Sequence, residues 1–328
     1  MVDKMLYNTI LAQTFSPCGN YLLAGNTYGA ISVYDLQEIL SPGNEKTPKF
    51  RPPSLQFYPC KDETQISSLA TTEDFLIVGT VGEILGFHWE TIITMKNPAL
   101  SWKITLPSNK DELDKADVNS MTIRQEEDKV YAGCGDSKIY CYDLDGGKLI
   151  RTFQGHEDYI HCVHSTNTQI VSASEDGSAR IWDPRQQKEN KVVKPYLEST
   201  LSRPALGKWL GAAAISDDWM VCGGGPYLSL WHLRSMALTE AYTSLTDNGI
   251  HATMMYEDRV LAAGASPYLT HLSLTGSLLA QVPSSSTCLY SIALQEKPIK
   301  VLCMAGSSSR IDLCTNLNYR DQILTFIK

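Results

Sequence analysis

The stretch GHEDYIHCVHSTNTQIVSASEDGSARIWDP, from Gly155 to Pro184, decides the fold of this chain. It holds a Gly-His pair, an alternating apolar run, the turn sequence SASEDG, a second apolar run and a final Trp-Asp pair. Alternation of apolar and polar residues is typical of strands with one buried face, and an Asp-Gly pair is typical of a tight turn. The stretch is therefore expected to form a small sheet of short strands.

The same pattern can be followed along the whole chain. The stretch resembles one WD40 repeat, the four-stranded blade of a β-propeller, and comparable strands recur after turns every 40 to 55 residues. The shorter intervals match the period of such a blade, and the longer ones carry polar inserts. We predict an all-β fold, a seven-bladed WD40-type β-propeller that occupies residues 1–328 as a single domain. The residues that end the recurring strands are Tyr34, Phe87, Tyr142, Trp182, Trp231, Leu272 and Cys314.

The two ends of the chain are expected to lie in neighbouring blades. The run YNTILAQTF, which begins at Tyr7, predicts the inner strand of blade one. The run YRDQILTFIK, which begins at Tyr319, predicts the outer strand of blade seven. On this interpretation no strand is exchanged between the ends, and closure depends on packing between blades one and seven.

Three consecutive glycines, Gly223 to Gly225, raise the question of a phosphate-binding loop. The segment VCGGGPYLSLWHL that contains them overlays AAGASPYLTHLSL, which follows 41 residues later. A turn between strands accounts for this recurrence, whereas an independent phosphate loop does not. The segment also lacks the Lys-Ser/Thr pair and the following helix of a P-loop. We therefore predict a blade turn without a ligand.

Blade four contains the residue types of a hydrolase triad. These are His156, Asp176 and a serine of VSAS, either Ser172 or Ser174. The repeat offers another role, in which they join Trp182 in a buried hydrogen-bond relay, because buried polar groups need partners. A nucleophile must be exposed beside an oxyanion site, and nothing in the sequence indicates one. We predict a structural network, no catalytic residue and no cofactor.

The bulk composition limits the classes of partner. The net charge is −8, from 28 Lys and Arg against 36 Asp and Glu. Because nucleic-acid binding depends on basic side chains that neutralise phosphates, contact with RNA is expected to be indirect or weak. Nine cysteines without a C-x-x-C pair argue against a zinc framework and for a reducing compartment. No apolar run reaches the length of a membrane helix, so no membrane contact is expected. The densest basic group, interpreted as a solvated loop and edge strand, is Arg180, Arg185, Lys188, Lys191 and Lys194.

Further segments are similar to the THO complex subunit 6 family of WD-repeat proteins. The most specific are DWMVCGGGPYLSLWHLRS, from Asp218, and SRPALGKWLG, from Ser202. Others are SPCGNYLLAGNTYGAISVYDL, GHEDYIHC, EDGSARIWDPR, AQVPSSS and TNLNYR. The resemblance implies a nuclear, non-catalytic scaffold in TREX, the assembly that couples transcription and mRNA processing to mRNA export. It also implies contacts with the other THO subunits, especially the coiled-coil subunits 5 and 7.

Several aromatic residues are candidates for contact with those partners. Tyr28, Tyr227 and Tyr268 recur at similar blade positions, and Tyr159 and Trp209 lie near the starts of inner strands. Aromatic side chains are enriched at binding hot spots, but each of these is equally compatible with plain packing. An alternative function is a WD-repeat substrate receptor of a ubiquitin ligase, because the sequence WDPR at Trp182 fits a short adaptor-binding pattern.

Overall fold

The computed structural model describes residues 7–41, 50–94, 97–107, 115–186, 189–245 and 249–327. Within these ranges the chain forms seven four-stranded antiparallel sheets, the blades of a seven-bladed β-propeller. The prediction of an all-β propeller with seven blades is confirmed. The chain divides into two compact units, Met1–Lys115 with Val282–Lys328 and Ala116–Gln281.

The first unit contains blades one, two and seven. Blade one is β1 (Ile10–Phe15), β2 (Tyr21–Asn26), β3 (Ile31–Asp35) and β4 (Leu55–Phe57). Blade two is β5 (Ser68–Thr71), β6 (Phe75–Gly79), β7 (Glu83–His88) and β8 (Trp102–Thr105). Two short helices follow the third strands of these blades, α1 (Leu36–Ile39) and α2 (Trp89–Thr94). Blade seven is β25 (Leu289–Gln295), β26 (Val301–Gly306), β27 (Arg310–Cys314) and β28 (Gln322–Thr325).

The second unit contains blades three to six, except for the last two residues of the outer strand of blade six. Blade three is β9 (Val118–Arg124), β10 (Lys129–Cys134), β11 (Lys138–Asp143) and β12 (Leu149–Gln154). Blade four is β13 (Ile160–Ser165), β14 (Ile170–Ser174), β15 (Ala179–Trp182) and β16 (Glu189–Val193). Blade five is β17 (Leu210–Ile215), β18 (Trp219–Gly224), β19 (Ser229–His232) and β20 (Ala237–Ala241). Blade six is β21 (Ile250–Tyr256), β22 (Arg259–Gly264), β23 (Tyr268–Ser273) and β24 (Leu278–Pro283). Short 3-10 turns occur at Gln125–Glu127, Pro195–Leu197 and Pro204–Leu206.

Apolar clusters between neighbouring blades form the core of each unit. The second strand of a blade is buried along almost its whole length, as in β14, where all five residues are buried. Between blades four and five, Ile181 packs with Leu210 and Met220. Burial of side chains on both faces of a strand explains its nearly continuous run of small and apolar residues. The seven residues that marked the repeat in the sequence all lie on third strands.

Blades one and seven meet within the first unit. The Tyr34 hydroxyl donates to the carbonyl oxygen of Thr325 over 2.9 Å, and the Ser32 hydroxyl donates to that of Phe326 over 2.7 Å. Ile10, Tyr34, Ile311 and Leu324 belong to one buried cluster. The C-terminal run provides the outer strand of blade seven and the N-terminal run provides the inner strand of blade one, as the sequence predicted.

Candidate interaction surface

A buried hydrogen-bond network ties the first three strands of blade four together. His156 Nδ1 lies 2.8 Å from Asp176 Oδ2, and His156 Nε2 lies 2.7 Å from Ser172 Oγ. Trp182 Nε1 donates to the same Ser172 oxygen over 2.8 Å. The structure therefore brings together four of the five residues predicted for the network, and each hydrogen-bonding group of His156 and Trp182 has a partner.

Ser174 is outside this relay and Ser178 is part of it. The Ser174 hydroxyl donates to the carbonyl oxygen of Asp158 over 3.0 Å and accepts from the Asp176 backbone N–H over 3.1 Å. The Ser178 hydroxyl donates to Asp176 Oδ1 over 2.6 Å. Of the two serines that the sequence left open, Ser172 contacts His156 and Ser174 supports the turn. Ser178 was missed, although an Asp in a turn commonly accepts from the backbone N–H two residues on, as Asp176 does from Ser178 over 2.7 Å.

The network is closed to substrate. His156 and Asp176 are each 7% exposed, and Ser172 is fully buried. Burial alone raises the pKa of the Asp176 carboxyl, but hydrogen bonds from His156 and Ser178 and the charge of His156 outweigh it and hold that pKa well below its usual range. Asp176 stays charged and all of its contacts are within the blade, and Ser172 is inaccessible to substrate. This arrangement can hold strands together, but it cannot perform hydrolysis.

A second polar network, which the sequence analysis missed, lies in blade seven. Asp312 is fully buried. Its Oδ2 accepts from the Ser284 hydroxyl over 2.9 Å and from the Ser285 backbone N–H over 2.6 Å, and its Oδ1 accepts from Arg320 Nη1 over 3.1 Å. The available signal was a single acidic residue in the otherwise apolar strand β27, together with the serine run that precedes β25.

Tyr159 and Trp209 lie where the inner strands of blades four and five begin. The Tyr159 side chain is 55% exposed, and its ring lies against the backbone of Gly135 in blade three. Trp209 is half-buried, stacks on His251 with ring centroids 5.2 Å apart, and donates from Nε1 to the carbonyl oxygen of Leu206 over 2.8 Å. Both aromatics are thus held in place by neighbouring blades of the same unit.

The other three candidate aromatics have different surroundings. The Arg203 guanidinium covers one face of the half-buried Tyr227, 4.4 Å from the ring centroid. Tyr268 is 41% exposed at the start of β23. Tyr28 lies in the first unit, where its backbone N–H donates to Asn26 Oδ1 over 3.2 Å. The structure therefore leaves Tyr159 and Tyr268 as the most exposed of the five.

The triple glycine is only partly a turn. Gly223 and Gly224 end strand β18, so the prediction of a turn across all three residues was wrong for these two. The Gly225 N–H donates to the Trp209 carbonyl oxygen over 2.8 Å. Arg203 donates from Nε to the Gly225 carbonyl oxygen over 2.7 Å. The loop thus directs carbonyl oxygens toward an arginine, whereas a phosphate-binding loop directs backbone N–H groups toward its ligand.

Comparison with known proteins decides the family. Residues 147–183 match the family described as "WD domain, G-beta repeat". The chain is 38% identical over 323 residues to "THO complex subunit 6" of Drosophila melanogaster, with 97% of this chain and 89% of that protein covered. The chain belongs to the THO complex subunit 6 family. It is also 35% identical to the homologue from Danio rerio, over 98% of this chain and 99% of that protein. The Homo sapiens protein is 36% identical, with 98% of this chain and 94% of that protein covered.

Similarity to a solved structure also supports the propeller fold of this member of the THO complex subunit 6 family. The computationally designed Ika8 protein aligns with a TM-score of 0.65 at 14% identity, over 97% of this chain and 87% of that chain. At this identity the likeness concerns the fold alone. Membership in the THO complex subunit 6 family and the propeller fold make the chain a non-catalytic WD-repeat protein.

The remaining sequence hypotheses can be placed within this THO-type propeller. The Arg185 side chain of WDPR is 85% exposed and pairs with the Asp183 carboxylate over 2.7 Å. Arg180 is buried and donates from Nε to the Ser178 hydroxyl over 3.2 Å, so it does not belong to a basic surface. Lys188 lies outside the described residues.

The structure also bears on the metal and membrane expectations. All nine cysteines carry free thiols. Among the described residues, no three His, Cys, Asp or Glu side chains are grouped so as to bind a metal ion. In the same ranges no helix has the length and apolar character needed to cross a membrane.

Proposed function

We propose that this protein is the WD-repeat subunit of a nuclear THO complex. In this role it acts as a non-catalytic platform within TREX, which couples transcription and mRNA processing to mRNA export. The observation that carries the proposal is similarity to THO complex subunit 6 proteins of several animals across 97% and more of the chain. Similarity of this extent includes loops as well as strands, and loops are where propellers differ in their partners.

The proposed partners are the other THO subunits, with the coiled-coil subunits 5 and 7 as the principal contacts. We assign residues 1–328 to one propeller domain and the blade-four network to a structural role within it. The buried network makes blade four a rigid support for exposed side chains that contact a partner. The five aromatics named above remain proposed contacts, and the exposure of Tyr159 and Tyr268 favours these two.

Co-purification tests the proposal. The full chain carrying an affinity tag is expressed in cells of its own source, and the recovered assembly is analysed by mass spectrometry. We expect the other THO subunits, including subunits 5 and 7, in constant proportion, and a nuclear signal from a fluorescent fusion. A tagged WD-repeat propeller of another family and similar net charge is the control.

Two outcomes would contradict the proposal. One is a folded, tagged protein that recovers no THO subunit, and the other is a fusion that stays outside the nucleus. The ubiquitin-ligase alternative predicts instead that a ligase adaptor is recovered and is lost on Arg185→Ala. The relatives described above are named as THO subunits, and no structural observation favours the ligase function over the THO role.

A further inference from the structure

One continuous surface in the second unit carries exposed aromatic and acidic side chains. It joins two of the predicted aromatics and four carboxylates across the ends of blades three to five, where inner strands begin and second strands end. We call it the Tyr159 surface. It consists of Tyr159, Trp209, Asp117, Glu157, Asp158 and Glu175.

Backbone contacts make this surface continuous. The Tyr159 ring lies against Gly135, whose N–H donates to the Asp117 carbonyl oxygen over 2.9 Å. The Glu175 N–H donates to the Tyr159 carbonyl oxygen over 2.9 Å. A single set of backbone contacts therefore places Tyr159 between the carboxyl-bearing residues of blade three and those of blade four.

Two histidines extend the surface toward Trp209. His161 Nε2 lies 2.9 Å from Glu175 Oε2, and both side chains are more than one third exposed. Burial lowers the pKa of His251, and the charge of His161 lowers it further. Trp209 then stacks on His251.

The charge of the surface is negative. Glu157 and Asp158 are exposed, and within the described ranges no side chain pairs with the carboxylate of Asp117. Burial raises the pKa of Asp117, as expected for a carboxylate that lacks a counter-ion. Of the nearby lysines, Lys138 is already paired with Asp136 over 3.0 Å.

We propose that the Tyr159 surface binds an arginine- or lysine-rich segment of a partner protein, with Tyr159 as the platform for one cationic side chain. A cation above an exposed tyrosine is stabilised by the ring face, and surrounding carboxylates add charge-assisted hydrogen bonds to an arginine. The inference rests on the proposed function, since the partner segment would belong to another subunit. A second copy of this chain fits poorly because its net charge is −8.

Charge reversal gives the first test. The double variant Glu157→Lys/Asp158→Lys reverses two exposed carboxylates on the surface. The matched control is Asp217→Lys/Asp218→Lys, an equally exposed pair in the turn between β17 and β18, at the opposite end of the blade. The full chain is titrated against a fluorescein-labelled peptide of alternating arginine and glycine, with anisotropy as the readout at low and physiological ionic strength.

The proposal predicts a difference between these variants. The Glu157→Lys/Asp158→Lys protein should bind the peptide at least about tenfold more weakly, while the control pair stays near the native value. Tyr159→Ala should weaken binding, and Tyr159→Phe, which keeps the ring face, should restore it. Equal loss in both lysine pairs, or unchanged affinity in Glu157→Lys/Asp158→Lys, would overturn the proposal.

A second test uses the native assembly and separates this inference from the proposed function. A carbodiimide couples a carboxylate directly to a lysine in contact with it. We expect zero-length cross-links from Glu157, Asp158 or Glu175 to lysines of one THO subunit, and protection of these carboxylates from added glycinamide where arginines cover them. If the THO subunits co-purify and these carboxylates react only with added glycinamide, the surface is free and the inference is wrong while the proposed function stands. If no THO subunit is recovered, the proposed function itself is wrong.

Discussion

His156 and Asp176, twenty residues apart in the chain, meet in blade four with 2.8 Å between Nδ1 and Oδ2. The histidine precedes the first strand of the blade, and the aspartate lies in the turn between the second and third strands. Their contact spans the edge of the sheet, and Ser172 extends it to Trp182. The pair therefore fixes the position of the turn relative to the strand that packs against the neighbouring blade.

Asp176→Ala should destabilise the protein. The substitution removes the shorter of the two contacts of the buried His156 Nδ1, which keeps only the Ser178 hydroxyl at 3.2 Å, and the backbone N–H of Ser178 loses its acceptor as well. We expect a loss of about 1–3 kcal/mol in the free energy of unfolding, measured by urea denaturation. Asp258→Ala, at a side chain that is 84% exposed, is the control and should change it by less than about 0.5 kcal/mol. Equal stability of the two variants would mean that the blade-four network contributes nothing measurable.

Stability should fall in mildly acidic solution because of His271. This side chain is fully buried, and neither ring nitrogen has a hydrogen-bond partner among the described residues. Burial, assisted by the charge of Arg259, lowers its pKa to about 4. Between a pH of about 6.5 and 4 the unfolded chain binds a proton at this site and the folded chain does not, so acid favours unfolding.

His271 should contribute about 3 kcal/mol to the free energy of unfolding above a pH of about 6.5, and this contribution should be lost progressively as the pH falls to about 4. Urea titrations at several pH values measure it, and His271→Leu should flatten the dependence. Thr270→Val, at the adjacent buried position with an unpaired hydroxyl, removes no titrating group and should keep the native slope. If His271→Leu keeps the native dependence of the free energy of unfolding on pH, other groups cause the acid sensitivity.

Asp312→Ala should be more harmful than Asp312→Asn. Alanine removes both carboxylate oxygens that accept from Ser284, Ser285 and Arg320, and leaves Arg320 with only the Ser285 hydroxyl as an acceptor, whereas asparagine keeps one oxygen in nearly the same place. We expect a loss of about 2–4 kcal/mol for alanine, because a buried donor set loses its partner, and about half of that for asparagine. Thermal unfolding followed by circular dichroism checks this order. The reverse order would show that the carboxylate is not what holds the loop before β25.

Alanine substitutions in the triple glycine should differ in severity. A Cβ at Gly224 would overlap the carbonyl oxygen of Trp209, and one at Gly225 would overlap that of Gly207, so the backbone would have to shift. At Gly223 the nearest atom, 2.9 Å away, is a methyl carbon of Leu228, which can rotate aside. We expect about 3 kcal/mol or more for Gly224→Ala and Gly225→Ala, and about 1–2 kcal/mol for Gly223→Ala. Three equal losses in melting experiments would contradict this account.

The same glycines show why the local sequence could not reveal the structural reason for a glycine at these positions. We predicted that they form a turn, and glycine in a turn is usually required for a left-handed backbone. None of the three has a positive φ, and what excludes a side chain at Gly224 and Gly225 is close approach of the backbone that leads into blade five. Such an approach depends on residues that are distant in the chain and leaves no mark on the local pattern.

Ser172 and Ser174 illustrate the same limit on a smaller scale. Two residues apart on one strand, they share a face of the sheet, so alternation cannot choose between them. Pairing of Ser172 with Arg180 and of Ser174 with Ile160 sets which hydroxyl reaches His156. Asp312 escaped notice because its partners come from 27 residues before it and 8 residues after it.

Local spacing was enough to establish the number of blades, the strand order within each blade and the assignment of both chain ends, because turns and alternating strands are short-range features. It also brought His156, Asp176 and Trp182 together, since they recur at characteristic positions within one repeat. Which serine completes the network and why Gly224 admits no side chain depended on strand pairing within blades four and five, and how Tyr159 comes to lie among four carboxylates depended on packing between blades three and four. These contacts join residues that are separated in the chain, and only the folded molecule places them within a few ångströms of one another.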